Sequence, residues 1–175
     1  MQKIMIILSA KRFPVLFVVL LAVFSLYACG SESSKTAEVE VESSGNPAKD
    51  SFRRGVQYSL KGNHEKAVEE YKKSLELNPN SAVAYSNLGF EYYDLNQFDE
   101  SAEYQEKALD INPELANAFY GLAMALEKKG DKDGAIENYK EFLSISETHT
   151  LWWNNAKANI ERLERRFGDP FKESP

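Results

Sequence analysis

Apolar and polar positions in the body of the chain recur together every 34 residues. Leu75, Leu109 and Leu143 form one series at that interval, and Tyr85, Phe119 and Trp153 form another. Ala67, Ser101 and Ala135 keep a small residue at a third phase. Gly55 and Gly89, Tyr58 and Tyr92, Asn78 and Asn112, and Pro79 and Pro113 are pairs at the same spacing. Many phases agreeing on one period mark an array of like units, and this period belongs to helix–turn–helix solenoids. The first helix of each unit is predicted over 48–61, 82–95 and 116–129, the second over 64–77, 98–111 and 132–146. Asn-Pro at 78–79 and 112–113 ends two of the second helices, because the residue before proline resists the helical conformation. Lys61-Gly62-Asn63 and Lys129-Gly130-Asp131 supply inner turns. Small residues at Gly55, Gly89 and Ala123, facing Ala67, Ser101 and Ala135, let the helices of a pair approach closely, with Tyr58, Tyr92 and Leu126 filling the space beside them. Residues 150–167 read as a closing helix. Trp153 and Ile160 hold core phases, and Lys157, Glu161, Arg162, Glu164, Arg165 and Arg166 give it the polar outer face that the last helix of a solenoid needs. Gly168 and Pro170 stop it, and the tail 168–175 is expected to be loose.

Upstream the pattern changes. Residues 1–28 carry Lys3, Lys11 and Arg12, no acidic residue, and an apolar run from Val15 to Ala28. That run is short for a membrane-spanning helix, which needs about 20 residues, and fits the apolar region of a secretory signal peptide. It ends in Leu26-Tyr27-Ala28-Cys29-Gly30, which resembles the lipobox of bacterial lipoproteins, with Tyr27 departing from the usual small or β-branched residue. The resemblance implies cleavage before Cys29, lipidation of its sulfur and anchoring in the cell envelope. With no Asp after the cysteine, it points to the outer membrane, facing the periplasm, rather than the inner one. The other reading is an uncleaved signal anchor with an incidental cysteine; both leave the rest of the chain tethered outside the cytoplasm. Residues 29–46 follow as the lipidated cysteine and a Ser- and Glu-rich linker. Too apolar-poor to offset its own ordering entropy, the linker is expected to be a flexible tether reaching roughly 20–25 Å.

The repeats resemble the tetratricopeptide repeat (TPR) family. The second shows it best, with Ala84-Tyr85-Ser86-Asn87-Leu88-Gly89, then Tyr92, Phe98, Ala108 and Pro113. Repeats are expected at 48–81, 82–115 and 116–149, with a cap at 150–167, making the domain 48–167 an all-α helix-turn-helix solenoid. Arg54 stands where that family usually has Leu, Gln105 where an aromatic is usual (Tyr104 is beside it), and Glu147 where the third proline would fall. In this family the first helices line a concave groove. The resemblance places Phe52, Arg53, Val56 and Ser59 there from repeat one, Ser86, Asn87, Phe90 and Tyr93 from repeat two, and Tyr120, Gly121, Met124 and Glu127 from repeat three. An apolar stripe in a groove suits an extended peptide or a partner helix; the competing reading is that these side chains pack on one another or under the closing helix. The carboxylate clamp of chaperone-binding members is missing, because only Asn87 matches it while Phe52, Val56, Asn117 and Gly121 hold the other positions.

Composition narrows the function further. The formal net charge is −6, and removing residues 1–28 takes away only basic side chains, so the remainder is more acidic still. Such a chain lacks the basic face that nucleic acid requires. One cysteine excludes an intrachain disulfide framework and a multi-cysteine metal site. No Gly-rich phosphate loop, HExxH or Ser–His–Asp set is present. His64 is expected in a solvated inner turn and His149 at the start of the closing helix. Asp131-Lys132-Asp133-Gly134 opens like a calcium loop but lacks the later ligands. Trp153 belongs to the core by its phase, leaving Trp152 as a surface contact. The expectation is a non-enzymatic, lipid-anchored scaffold, without cofactor, that grips another envelope protein through the groove; a self-associating structural protein is the alternative.

Overall fold

A computed structural model describes residues 42–165, which fold into seven helices without a strand among them. They are α1 (Pro47–Leu60), α2 (His64–Leu77), α3 (Ala82–Asp94), α4 (Phe98–Ile111), α5 (Ala116–Lys129), α6 (Lys132–Ile145) and α7 (Leu151–Arg165). The signal segment 1–28, Cys29, most of the linker and the tail 168–175 lie outside the described residues. Helices pack in sequence order: α1 on α2, α3 on α4 and α5 on α6 form the three pairs, and each second helix lies against the next first helix. The first helices α3 and α5 also touch directly, and α7 closes the array on α6.

The turns inside the pairs are built alike. Gly62, Asn96 and Gly130, spaced by the period, all take the left-handed conformation, at φ +70°, +60° and +87°. Each turn is closed by the same pair of backbone bonds. Gly62, Asn96 and Gly130 donate to the carbonyls of Ser59, Tyr93 and Glu127 at 2.8, 2.9 and 3.1 Å. Asn63, Gln97 and Asp131 donate to those of Tyr58, Tyr92 and Leu126 at 3.0, 2.8 and 2.9 Å. Asparagine tolerates positive φ better than other side chains, so Asn96 does a glycine's work in the second turn. Asn63 and Asp131 also cap the next helix, accepting from Lys66 N at 3.3 Å and Gly134 N at 3.0 Å. Gln97, at the same place in the second repeat, makes no side-chain cap.

Inside each pair a small residue faces a large one. A Cβ added at Gly55 would lie 2.7 Å from the ring of Tyr71, and one at Gly89 would lie 2.7 Å from the amide of Gln105. Ala67, Ser101, Ala135 and Ala123 are all fully buried, as the spacing predicts. The apolar core falls into two larger clusters: one in the first two repeats around Tyr71, Leu75 and Leu88, the other in the third repeat and cap around Tyr139, Phe142 and Leu163. A smaller one, around Ala102, Leu122 and Ala125, lies at the junction of repeats two and three.

The tether expected up to residue 46 is held at its downstream end. Ser44 N–H donates to both carboxylate oxygens of Asp50 at 2.9 and 3.1 Å, and the Ser43 hydroxyl donates to the same group at 3.0 Å. Arg53 donates to the Glu42 carbonyl at 2.9 Å. Residues 42–46 therefore form a strap across the start of α1, because a buried carboxylate in the first turn needs donors and the preceding serines supply them. The Ser44 hydrogen bonds, against the desolvation that burial brings, hold the Asp50 carboxyl below its usual range.

Candidate functional site

The first helices α1, α3 and α5 carry the residues that the resemblance assigned to a groove. On α1, Arg53 is exposed, while Phe52 and Val56 are half-buried and packed on the first core cluster, with the Phe52 ring 5.5 Å from that of Tyr71. On α3, Asn87 is half-buried and donates to the Tyr71 hydroxyl at 3.4 Å, so it serves local order more than reach. Phe90 and Tyr93 are half-buried; Tyr93 sets its ring edge-on to Phe98 at 5.4 Å. Burial, and after it the negative charge of Glu127, pushes the Tyr93 hydroxyl up, so it stays neutral. On α5, Met124 is half-buried against the second core cluster.

Several positions differ from expectation. Tyr120 is 6% exposed and does not stand open on the stripe. It is enclosed by Tyr139 at 5.5 Å, Phe142 at 5.1 Å and Trp152 at 5.0 Å, all edge-on, because α7 lays Trp152 over it. Ser86 and Gly121 are buried too, because Gln105 lodges between α3 and α5. Its amide donates to the Ser86 carbonyl at 3.0 Å and lies so close to Gly121 that no Cβ would fit. Glu127 is taken by Arg162 of the closing helix at 2.7 Å. Trp153 is half-buried rather than central, with Lys157 over its ring at 4.8 Å. His64 is not merely solvated in its turn: its Nδ1 lies 2.8 Å from the buried Glu91 carboxylate.

These shifts leave a pocket of about 220 Å³ at the third repeat, lined by Phe90, Asn117, Tyr120, Phe142 and Trp152. Four of its five walls are aromatic, and Trp152 stands at its edge with more than half of its surface in solvent. The volume is that of one large side chain. Sequence reasoning named Phe90 and Tyr120 and left Trp152 as a surface contact. It did not find Phe142, whose part depends on how α6 and α7 meet. The pocket offers apolar enclosure with one amide, from Asn117, at its wall: a place to receive an aromatic or long aliphatic group.

No helix among the described residues is long and apolar enough to cross a membrane. No curated protein matches the sequence. Among solved structures, the crystal structure of MamA is 26% identical, with a TM-score of 0.65 and 71% of each chain covered. The first TPR domain of Spaghetti (RPAP3) bound to an HSP90 peptide is 17% identical, with a TM-score of 0.66, over 76% of this chain and 99% of that one. The TPR2B domain of yeast Sti1 in complex with an Hsp70 peptide is 19% identical, with a TM-score of 0.64, over 69% of this chain and 98% of that one. A family model described as TPR repeat matches residues 55–96, and two described as tetratricopeptide repeat match 82–115 and 116–149. The last two windows coincide with the second and third helix pairs, the first runs from within α1 to just past the end of α3, and together they span more than half of the sequence; the chain belongs to the tetratricopeptide repeat family and is built as a protein–protein interaction scaffold.

Proposed function

We propose that the protein is a non-enzymatic scaffold of the bacterial cell envelope, held to the membrane by lipid on Cys29, that grips a segment of another envelope protein through its first-helix face. The observation that carries the binding role is the aromatic pocket of Phe90, Asn117, Tyr120, Phe142 and Trp152, with Tyr93 about one turn from Phe90 on α3. A soluble monomer gains little by leaving a tryptophan open at the mouth of an apolar pocket, whereas a partner side chain seated there excludes water from every wall. The segment bound is an extended peptide or helix with a large apolar side chain as its anchor. The solved peptide complexes of related fold make a peptide in the groove a fitting occupant. The lipobox resemblance at Leu26 to Cys29 supports the anchor, the outer membrane facing the periplasm being the expected site.

Two measurements test this. In detergent-solubilised membranes, Phe90→Ala with Trp152→Ala should release the co-purifying envelope partner, while Glu69→Ala with Glu76→Ala, on the exposed side of α2, should keep it. Each pocket aromatic should be worth about 2 kcal/mol or more of binding. Retention by the pocket variant, with its helicity intact, would show that the face is not the site. Cys29→Ser should abolish incorporation of labelled fatty acid, and persistent labelling would remove the anchor from the proposal. Self-association is the second reading: light scattering of the detergent-solubilised protein then gives a dimer or longer array instead of a monomer.

A further inference from the structure

We propose that His64, Glu91 and Asp94 form a binding site for a divalent transition metal, with Zn²⁺ the best match, at the inner-turn end of the first two repeats. The three come from two helices. His64 is the first residue of α2, directly after the Gly62-Asn63 turn, while Glu91 and Asp94 are three apart in the last turns of α3 and so share one side of it. The His64 Nδ1 lies 2.8 Å from Glu91 Oε2 and 3.7 Å from Asp94 Oδ2, and one donor atom from each of the three residues lies within 4.8 Å of the others. A zinc ion about 2.0–2.2 Å from nitrogen and oxygen donors in tetrahedral array holds its ligands roughly 3.2–3.6 Å apart. The observed separations bracket that value, so an ion enters by taking the place of the proton between His64 and Glu91 and drawing Asp94 slightly inward.

Burial and charge favour the same occupant. The Glu91 side chain is 4% exposed, His64 28% and Asp94 51%, so the site has a dry floor and an open mouth. Two carboxylates face one imidazole; with the ring neutral, as a ligand must be, they present two negative charges, which a dication balances. One nitrogen and two oxygens suit Zn²⁺ and its neighbours in the transition series, whereas Ca²⁺ and Mg²⁺ call for oxygen donors alone. Three protein ligands leave a fourth position for water. The site joins α2 to α3, the junction between the first and second repeats, so an ion there would fasten the two units together. This inference does not depend on the peptide pocket, which lies in the third repeat.

The test uses the full chain in detergent, freed of metal, and measures Zn²⁺ uptake against a chromogenic chelator, with Co²⁺ as a spectroscopic probe. One Zn²⁺ per chain, a higher melting temperature with the ion, and the visible absorption of four-coordinate Co²⁺ are expected. Loss of outer-shell partners typically weakens a metal site about 10–100-fold, and loss of a direct ligand costs at least as much, so His64→Ala and Asp94→Asn should each weaken uptake by tenfold or more. Asp94 is half in solvent, so its variant keeps the fold if that of His64 does not. Asp99→Asn, an exposed change elsewhere, should bind as the wild type does. If the wild-type chain takes up no Zn²⁺, or if both ligand variants take it up as tightly as the wild type, the assignment is wrong and the His64–Glu91 contact is only an ion pair between repeats.

Discussion

The first and third repeats place a tyrosine at one position of the second helix, and the second repeat places Gln105 there. Tyr71 and Tyr139 are almost fully buried, and each hydroxyl has an asparagine, Asn87 at 3.4 Å and Asn159 at 3.1 Å. Burial pushes both hydroxyls well above the usual tyrosine range, with the charges of Glu91 and Glu127 adding to it, so both stay neutral. Gln105 is equally buried, yet its Oε1 has no partner, nor do the hydroxyl oxygens of Ser86 and Ser101 around it. The array still closes, because Gly89 and Gly121 bring α3 and α5 down onto the smaller side chain. The contrast teaches that the 34-residue period dictates where a side chain points, and leaves open what it is made of. A polar seam at Gln105 thus lies between the two large apolar clusters, beside the small apolar cluster of Ala102, Leu122 and Ala125 at the same junction. An unpaired buried polar group costs about 1–3 kcal/mol, and in a solenoid such a cost stays local to its junction.

The strongest way to break this comparison is to damage each large cluster in turn. Leu88→Ala in the first and Leu163→Ala in the second should each cost about 2–5 kcal/mol. With a seam between them, hydrogen exchange should show Leu163→Ala loosening α6 and α7 while α1 and α2 keep their protection. Equal loss along the whole array in both variants would mean one cooperative core and no seam. A gentler change sharpens the point: Gln105→Leu keeps roughly the same volume and removes the unpaired oxygen. It should raise stability by about 1 kcal/mol in a denaturant titration. A lower midpoint would show that the bond to the Ser86 carbonyl matters more than the orphaned oxygen.

The smallest effect is expected in the first repeat, where polarity is fully paired. Arg54 donates to Glu70 at 2.7 Å and to Ser51 at 2.8 Å, and Lys73 reaches Glu70 at 2.6 Å. Burial alone would raise the Glu70 carboxyl, but the bonds from Lys73 and Arg54 outweigh it and hold the carboxyl below its usual value. A carboxyl lowered by folding stabilises at pH above its unfolded value, and that contribution disappears as pH falls through the folded one. Arg54→Leu should therefore cost up to about 1 kcal/mol at neutral pH, and the gap from wild type should close in acid, as pH falls below the ordinary glutamate range. A gap that is the same at both pH values would place the effect in the packing of the Arg54 stem.

The helices, their order and the turns at Gly62 and Gly130 were legible because spacing and turn chemistry act within a few residues. Asn96 was harder, since it lacks the glycine that its two counterparts carry. The departure at Gln105 was visible, but its consequence was not: burying Ser86 and Gly121 depends on how closely α5 settles onto it. The pocket was half legible. Phe90 and Tyr120 come from the family resemblance, whereas Trp152 and Phe142 join them through the rotation of a closing helix that the period does not dictate. The His64–Glu91 contact left no periodic trace, since the counterparts of His64 are Phe98 and Lys132 and those of Glu91 are Gln57 and Ala125. The serines before Asn46 look like any solvated linker until a buried Asp50 gives them something to bind.

That strap has a mechanical meaning. A pull on the chain upstream of Glu42 reaches the fold through the Ser43 and Ser44 bonds to Asp50 and the Arg53 bond to Glu42 before it loads the first helical bond of α1, Asp50 N–H to the Asn46 carbonyl at 3.0 Å. The strap and the helix then act in series, with the weaker element in front. Peeling away residues 42–46 would let out up to about 17 Å of chain while every turn of α1 stays wound. Under tension the domain would thus lengthen by a short, reversible step before any repeat began to unravel.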